Sequence, residues 1–231
     1  MTLSLYIGNK NYSSWSMRPW VLLRQAGVDF PEHKVRFDSF EADSQFKRTI
    51  TAISPTGKVP VLTDGLLGGL VIWDTLAICE YVAEKFPEKH LWPADAAARA
   101  RARSVCAEMH SGFAALRHHF IMNIEASLPE IGALVLRDQP EVRRDVARIV
   151  DLMSGLLKRS GGPMLFGEFG IADAFYAPVC MRFHTYGVPL PADVAAYVDR
   201  VRALPGVVAW ISDALAEKDF LPFEEPYRLH R

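Results

Sequence analysis

The sequence predicts two structural parts, a mixed α/β domain over residues 1–86 and an all-helical domain over residues 94–231, joined by a linker at 87–93. In the first part, short apolar and alternating runs typical of strands lie between runs with helical spacing. Beyond the linker the strand signals end, and apolar residues recur three and four positions apart. This change of period predicts an α/β plus all-α fold class.

Seven segments are predicted in the first domain, beginning with an alternating strand over residues 3–7. A helix follows, and because proline is tolerated in a helix only in the first turn, Pro19 predicts that it begins near residues 16–18. Gly27 is a suitable end for this helix, since glycine readily adopts the left-handed conformation found there. A second strand is expected over residues 32–37.

The rest of this domain is predicted as a helix within residues 39–52, two strands and a final helix. The strands, over 59–63 and 70–72, form an antiparallel hairpin whose connection begins with the Asp64-Gly65 turn. The final helix covers residues 75–85. The resulting order, β-α-β-α-β-β-α, is the thioredoxin-like arrangement.

The second domain is predicted as a bundle of helices. The first run of helical spacing extends over residues 105–120 and predicts one helix that carries Met109, His110, Phe113 and Arg117. Part of that face is expected to line a pocket, with Phe113 in the core. The further predicted helices cover residues 142–157, 171–184, 193–202 and 207–218.

The amino-acid composition of the chain argues against several classes of function. The 231 residues include 26 Lys and Arg against 27 Asp and Glu, and this balance argues against a nucleic-acid-binding protein, which would carry a basic face. Cys79, Cys106 and Cys180 lie far apart in apolar segments, without the spacing of a metal site. Buried free thiols are expected in a reducing compartment. With no signal-peptide pattern or membrane-spanning run, a cytoplasmic location is predicted, with no membrane partner.

The dipeptide Val59-Pro60 is the first indication of a binding site. If this peptide bond is cis, the N–H and C=O of Val59 face outward instead of pairing within the sheet. They can then bind the backbone of an extended peptide as an additional strand does. Upstream, Ser13 and Ser14 place two hydroxyls at the start of a predicted helix. This combination predicts a site for a peptide thiol.

Four segments occur in order along nearly the whole chain: Tyr12-Ser-Ser-Trp-Ser-Met-Arg18, Gly57-Lys-Val-Pro-Val-Leu62, Ile72-Trp-Asp-Thr-Leu-Ala-Ile-Cys-Glu-Tyr-Val-Ala-Glu-Lys-Phe-Pro87 and Phe166-Gly-Glu-Phe-Gly-Ile-Ala-Asp-Ala174. Together they resemble the cytosolic glutathione S-transferase family. The first is similar to the Ser-Ser-Cys-Ser-x-Arg signature of the zeta class and related bacterial serine-type enzymes. The resemblance implies that family's fold, a thioredoxin-like domain followed by a helical bundle, and glutathione as co-substrate.

The resemblance also implies that Ser13 or Ser14 activates the glutathione thiol. The zeta register assigns this role to Ser13, with Ser14 as its helper, and is the preferred interpretation. Counting back from Arg18, as in theta- and delta-like enzymes, favours Ser14. The competing explanation is that both serines only cap the helix, since serine is a common N-cap residue. Arg18 itself is expected to form a salt bridge on its helix.

For the rest of glutathione, the resemblance implies that Val59, with Pro60, binds the cysteinyl backbone. Asp74 and Thr75, at a helix N-terminus, are implied to bind the γ-glutamyl carboxylate and amine. Lys58 is either a partner for the glycyl carboxylate or a solvated loop lysine, and the two interpretations are equally favoured.

Three positions depart from the family pattern. Asp74-Thr75 stands where the family has Glu or Gln followed by Ser. Gly170 replaces a Ser or Thr helix cap, which predicts a loss of about 0.5–2 kcal/mol, or only tenths if glycine caps adequately. Trp15 occupies the position of the zeta-class cysteine. It is predicted to contact glutathione and to form a stacking wall for an apolar or aromatic substrate. Asp173 is implied to be structural, at the start of its helix.

The sequence thus predicts a homodimeric glutathione transferase that conjugates glutathione to small apolar electrophiles, without a metal. Two alternatives stay open. One is a glutathione-dependent isomerase of the zeta type, although Trp15 departs from that class. The other is a non-catalytic protein that binds glutathione or another ligand on the same fold.

Overall fold

The computed structural model describes residues 3–231. Its sheet has four strands in the spatial order β2-β1-β3-β4, with bounds β1 Leu3–Ile7, β2 Glu32–Lys34, β3 Val61–Asp64 and β4 Leu70–Trp73. β1 pairs parallel with β2 and antiparallel with β3, while β3 and β4 form an antiparallel pair. The alternation in β1 buries Leu3, Leu5 and Ile7 under the helices, as period-two patterning predicts.

Three helices complete this half of the chain: α1 Ser14–Gln25, α2 Gln45–Thr51 and α3 Thr75–Lys85. The order of strands and helices confirms the predicted thioredoxin-like arrangement. The predicted start of α1 near residues 16–18 was wrong, because the helix begins at Ser14 and Pro19 lies in its second turn. A proline there leaves the carbonyl group four residues earlier, on Trp15, without a helical N–H partner.

Two strand boundaries also differ from prediction. β2 ends at Lys34 instead of continuing to residue 37, and β3 begins at Val61 instead of residue 59. A short 3-10 turn, Gly65–Leu67, follows Asp64 in the connection between β3 and β4. Gly68 and Gly69, with φ of 68° and 81°, return the chain in a conformation that favours glycine.

The remaining helices form the second half. They are α4 Ala96–Ser111, α5 Ala114–His119, α6 Pro129–Asp138, α7 Pro140–Ser160, α8 Ile171–Thr185, α9 Ala192–Ala203 and α10 Pro205–Glu217. The single helix predicted over residues 105–120 was wrong. The chain breaks at Gly112, where a Cβ would lie 2.7 Å from the carbonyl oxygen of Glu108. The next residue, Phe113, has a φ of 56°. α6 was not predicted.

One buried apolar cluster extends through both halves of the chain. Trp20 on α1 packs edge-on against Trp210 on α10, with ring centroids 5.3 Å apart. α1 also packs along α8, so the helix that begins at Ser14 is held by both halves. α1 therefore packs against helices of the second half. The division of the chain into two domains by a linker at residues 87–93 stays a prediction.

Gly170 is explained by its surroundings. A Cβ at this position would lie 2.8 Å from the carbonyl oxygen of Leu91, which accepts a hydrogen bond from Ile171 N–H at 3.1 Å. The cap that glycine lacks is replaced by Asp173, whose carboxylate accepts from Gly170 N–H at 3.0 Å and from Leu165 N–H at 3.1 Å. Burial raises the pKa of Asp173 to about 6, despite these hydrogen bonds. Asp173 therefore fixes the start of α8 to the segment that precedes it, and the Ile171 N–H joins that start to Leu91.

Candidate functional site

Three segments of the first half meet beside the bundle: the first turn of α1, the segment before β3 and the first turn of α3. A cavity of about 700 Å³ lies between them. The Val59-Pro60 peptide bond at its edge is cis. All six residues predicted to contact glutathione outside the serine pair line this cavity, namely Trp15, Lys58, Val59, Pro60, Asp74 and Thr75.

A second cavity of about 530 Å³ adjoins the first. Ser13 and Ser14 line this second cavity, and it has an apolar wall formed by Phe37, Phe40, Phe46, Ile121 and Met122. Trp15, Lys58, Val59 and Arg117 line both cavities. The two spaces therefore meet at Trp15 and Val59, next to the serine pair.

The main chain of Val59 is available to a ligand. Within residues 3–231, neither its N–H nor its C=O makes a hydrogen bond, and it lies outside the ladder that pairs β1 with β3. Lys58 is exposed, with no ion pair in the described part of the chain. These groups face the first cavity without a protein partner.

The two serines differ in their hydrogen bonds. Ser13 occupies the N-cap position of α1 but makes no side-chain cap; its hydroxyl donates to Ser16 Oγ at 2.7 Å. Ser14 Oγ accepts from Arg182 Nη2 at 3.3 Å, and its own hydrogen has no acceptor in the described chain. The helix-capping explanation is thus not supported by the geometry of either serine. Ser14 keeps a free donor beside a cation.

The start of α3 is fixed from two sides. Asp74 has a φ of 72°, unusual for a residue with a Cβ, and its Oδ1 accepts from Leu76 N–H at 2.9 Å as the helix cap. Its Oδ2 lies 3.4 Å from His110 Nε2 on α4. The hydroxyl of Thr75 donates to the carbonyl oxygen of Trp15 at 3.2 Å. The side chain of Thr75 therefore supports α1, and its main-chain N–H lies at the helix N-terminus.

Three arginines surround Trp15 and the first turn of α1. Arg18 and Arg117 lie over the Trp15 ring, with guanidinium carbons 4.2 Å and 5.5 Å from its centroid. Burial, together with the charges of Arg182 and Arg117, lowers the pKa of Arg18 to about 9. Burial likewise lowers the pKa of Arg182 to about 10. All three stay cationic at neutral pH, and the site favours an anion.

The expected salt bridge of Arg18 was wrong. Within residues 3–231 this side chain forms no ion pair, and its buried Nε and Nη1 have no hydrogen-bond partner. It stacks between Trp15 and Phe175 instead.

Several cleft residues were not identified from the sequence. Arg182, His118 and Glu224 line the second cavity. Of the helix face predicted to line a pocket, His110 and Arg117 line the first cavity, Met109 is buried, and Phe113 is in the core as expected. Arg182 carried a signal, because it is an arginine within the largely apolar sequence of α8. Glu224 carried none: it comes from a short 3-10 turn, Pro222–Glu224, in the C-terminal tail.

The described residues hold no group of three His, Cys, Asp or Glu side chains positioned to bind a metal ion. Within the same residues, 3–231, no helix is both long and apolar enough to cross a membrane.

Comparison with known protein families agrees with the fold and the site described above. Residues 12–85 match the family model of the glutathione S-transferase N-terminal domain, and residues 96–213 match that of the C-terminal domain. The chain belongs to the glutathione S-transferase family. The predicted resemblance and fold class are thereby confirmed.

Relatives within the family include zeta-class proteins. The chain is 35% identical to "Glutathione S-transferase Z1" of Arabidopsis thaliana, covering 90% of this chain and 92% of that protein. It is 31% identical to "Glutathione S-transferase zeta class" of Euphorbia esula, over 72% and 70% of the two. It is 32% identical to "Probable maleylacetoacetate isomerase" of Caenorhabditis elegans, over 52% of each.

A solved structure shares the fold. It is a glutathione transferase homologue from Burkholderia with bound glutathione, 25% identical, with a TM-score of 0.66. The match covers 93% of this chain and 98% of that one.

Proposed function

We propose that this protein is a glutathione transferase in which a serine hydroxyl stabilises the glutathione thiolate for attack on a small electrophile. One observation carries the proposal: the two cavities meet at Trp15 and Val59, beside a serine hydroxyl that is held by a buried arginine. Glutathione occupies the first cavity and the electrophile the second, so the sulfur lies at their junction.

The first cavity supplies groups for each part of glutathione. Val59 offers a free N–H and C=O to the cysteinyl unit, in the manner of an added strand. The N-terminus of α3 favours the γ-glutamyl carboxylate, and the Asp74 carboxylate pairs with the amine. Lys58, exposed at the cavity edge, pairs with the glycyl carboxylate. The bound Burkholderia homologue supports glutathione as the substrate.

We assign the hydrogen bond to sulfur to Ser14. The zeta register had favoured Ser13, but the Ser13 hydrogen is directed to Ser16, whereas Ser14 is free to donate and accepts from Arg182. Lowering a thiol pKa by about two units from 8.5 requires roughly 2.7 kcal/mol. A hydrogen bond to a charged group contributes about 1.5–3 kcal/mol, and a helix N-terminus adds about 0.3–1. These two terms reach the required amount.

The test compares Ser14→Ala with Ser13→Ala. Ser14→Ala is expected to lower kcat/KM with chlorodinitrobenzene at least tenfold, equivalent to about 1.4 kcal/mol. It is also expected to raise the thiol pKa in the glutathione complex, measured from ultraviolet thiolate absorbance. A loss in Ser13→Ala alone returns the role to Ser13. Wild-type protein that binds glutathione without thiolate absorbance supports a non-catalytic ligand-binding protein instead.

An isomerase is the second candidate, since one relative is named a probable maleylacetoacetate isomerase. The second cavity favours it in one respect: Arg117, Arg182 and Lys47 line the space and suit a carboxylate-bearing substrate. An isomerase leaves no net conjugate. NMR of the reaction mixture distinguishes the two activities, because a conjugate retains the new carbon–sulfur bond and an isomer does not.

We further propose that the protein is a cytoplasmic homodimer. Leu66, Leu67, Leu70 and Trp73 are all exposed around the edge strand β4, an apolar surface suited to a second copy of the chain. The three cysteines are buried free thiols, as suits a reducing compartment. Light scattering tests the dimer: Leu67→Glu is expected to yield a monomer, and the exposed change Leu229→Glu is its control.

A further inference from the structure

Two neighbouring glutamates in the C-terminal tail have opposite surroundings. Glu225 is buried, and its carboxylate accepts from Tyr12 Oη at 2.7 Å and from Asn123 Nδ2 at 2.9 Å. It also pairs with Arg228 at 2.5 Å. Glu224 lines the second cavity, and within residues 3–231 its side chain makes no hydrogen bond or ion pair. One carboxylate holds the tail and the other is left free in the cleft.

The position of Glu224 is fixed by contacts on both sides. Leu221 N–H donates to Tyr12 Oη at 3.3 Å, and Glu224 N–H donates to the Leu221 carbonyl oxygen at 2.8 Å. Phe223 packs edge-on against Phe40, with ring centroids 5.3 Å apart. With Glu225 anchored next to it, the tail presents the Glu224 carboxyl to the cavity that contains the two serines.

The environment of Glu224 suits a proton donor. Burial raises its pKa, the Arg182 charge lowers it and the Glu225 charge raises it by less, and together they bring the pKa of Glu224 to about 7. Arg182 also donates to Ser14, so the charge of this one arginine acts on both Ser14 and the Glu224 carboxyl. The other titratable or charged groups that line this cavity are Tyr12, Lys47, Lys58, Arg117 and His118. Glu224 is the one carboxyl group among the lining residues.

We propose that Glu224 is the proton donor when glutathione adds to a conjugated alkene, a role that rests on the proposed function of the site. The thiolate forms a bond to the β-carbon, and the alkene π pair moves onto the conjugated carbonyl as an enolate. The Glu224 carboxyl then transfers its proton to the α-carbon, the enolate pair forms the new C–H bond, and Glu224 is left as a carboxylate. Water returns a proton to it before the next turnover.

The proton-donor role of Glu224 applies to one class of substrate. Addition to an α,β-unsaturated carbonyl compound needs a proton at carbon, whereas displacement of chloride from a nitroaromatic ring does not. Glu224 should therefore matter for the first reaction and be dispensable for the second. A residue that only shapes the cleft would affect both.

The test measures kcat/KM for phenylbutenone and chlorodinitrobenzene in wild type, Glu224→Gln and the exposed control Glu130→Gln. Glu224→Gln is expected to lose at least tenfold more activity with phenylbutenone than with chlorodinitrobenzene. In wild type, the ratio of enone to nitroaromatic activity should fall as pH rises through about 7, as a required acid is lost. In Glu224→Gln the ratio should stay flat. Because His118 faces the same cavity, only the pH dependence that this variant removes belongs to Glu224.

Equal losses with both substrates, or no loss with either, would overturn the role of Glu224 while leaving the transferase intact. Absence of turnover with both substrates in wild type would count against the proposed function itself. Carbon NMR of the carboxyl groups then tests the proposal independently of turnover, with the Glu224 resonance assigned by its absence in Glu224→Gln. A Glu224 resonance that titrates near the ordinary glutamate value of about 4.3 would overturn the proposal regardless of turnover.

Discussion

The hydroxyl of Thr75 donates to the carbonyl oxygen of Trp15 at 3.2 Å, and Pro19 is the reason that this oxygen is available. In an unbroken helix the N–H of residue 19 would bond to the carbonyl of residue 15, but proline has no N–H. The oxygen instead joins α1 to the first turn of α3. One hydrogen bond therefore holds together Trp15 and Thr75, which both line the first cavity.

Replacing Thr75 tests this connection. Thr75→Val removes the donor but keeps the shape, and leaving the Trp15 oxygen without a partner is expected to cost about 1–3 kcal/mol of the free energy of unfolding in urea. Thr75→Ser, which keeps the hydroxyl, is the control. In a Pro19→Ala background the new N–H can satisfy the oxygen, so the cost of Thr75→Val should shrink. An equal cost in both backgrounds would contradict the shared acceptor.

Arg182→Met tests the electrostatic support of Ser14. Loss of a charged donor to Ser14 Oγ is expected to raise the pKa of bound glutathione by about one unit, equivalent to roughly 1.4 kcal/mol. Thiolate absorbance across a pH titration measures this shift. Arg182→Lys, which retains the charge, should show a smaller one. An unchanged thiol pKa in a folded Arg182→Met protein would remove Arg182 from the proposal.

Asp74 caps α3 and is proposed to bind the γ-glutamyl amine, and substitutions can separate the two roles. Asp74→Asn keeps an oxygen to cap α3 and tolerates the left-handed backbone, but it removes the charge offered to the γ-glutamyl amine. It should raise the KM for glutathione with little change in kcat or melting temperature. Asp74→Ala should raise KM and also lower the melting temperature. A change confined to kcat in Asp74→Asn would argue against a binding role.

Gly170→Ser reverses the expectation from sequence. A serine here restores a favoured N-cap, a gain of about 0.5–2 kcal/mol elsewhere. At this position its Cβ would meet the Leu91 carbonyl oxygen at 2.8 Å, and a main-chain oxygen cannot rotate away. The variant should therefore melt below wild type. Gly155→Ser, at a helical glycine with open space around its added Cβ, serves as the control.

The strands and helices could be predicted where the local sequence also marks the residues at which the element begins and ends. α3 was predicted with its observed bounds, because its first turn is marked by Asp74-Thr75 and its end by Pro87. The start of α1 could not be predicted, because contacts with the rest of the structure stabilise a helix that has Pro19 in its second turn. The break at Gly112 depends on one close approach to Glu108, and helical periodicity alone does not reveal it.

The first cavity was largely predictable and the second was not. Most residues lining the first cavity lie within short motifs near the sheet, and His110 and Arg117 are its two lining residues from the helical half. The second cavity gathers Phe37, Arg182 and Glu224 from distant parts of the chain. Their meeting depends on how α8 and the tail lie against the first half, which no short pattern encodes.

The packing of Trp20 against Trp210 has a consequence for how the chain loses its structure. Because their shared apolar cluster extends across the linker, neither half keeps a complete interior when separated from the other. Heating should then produce one cooperative transition, seen alike by near- and far-ultraviolet circular dichroism, and glutathione should shift that whole transition upward.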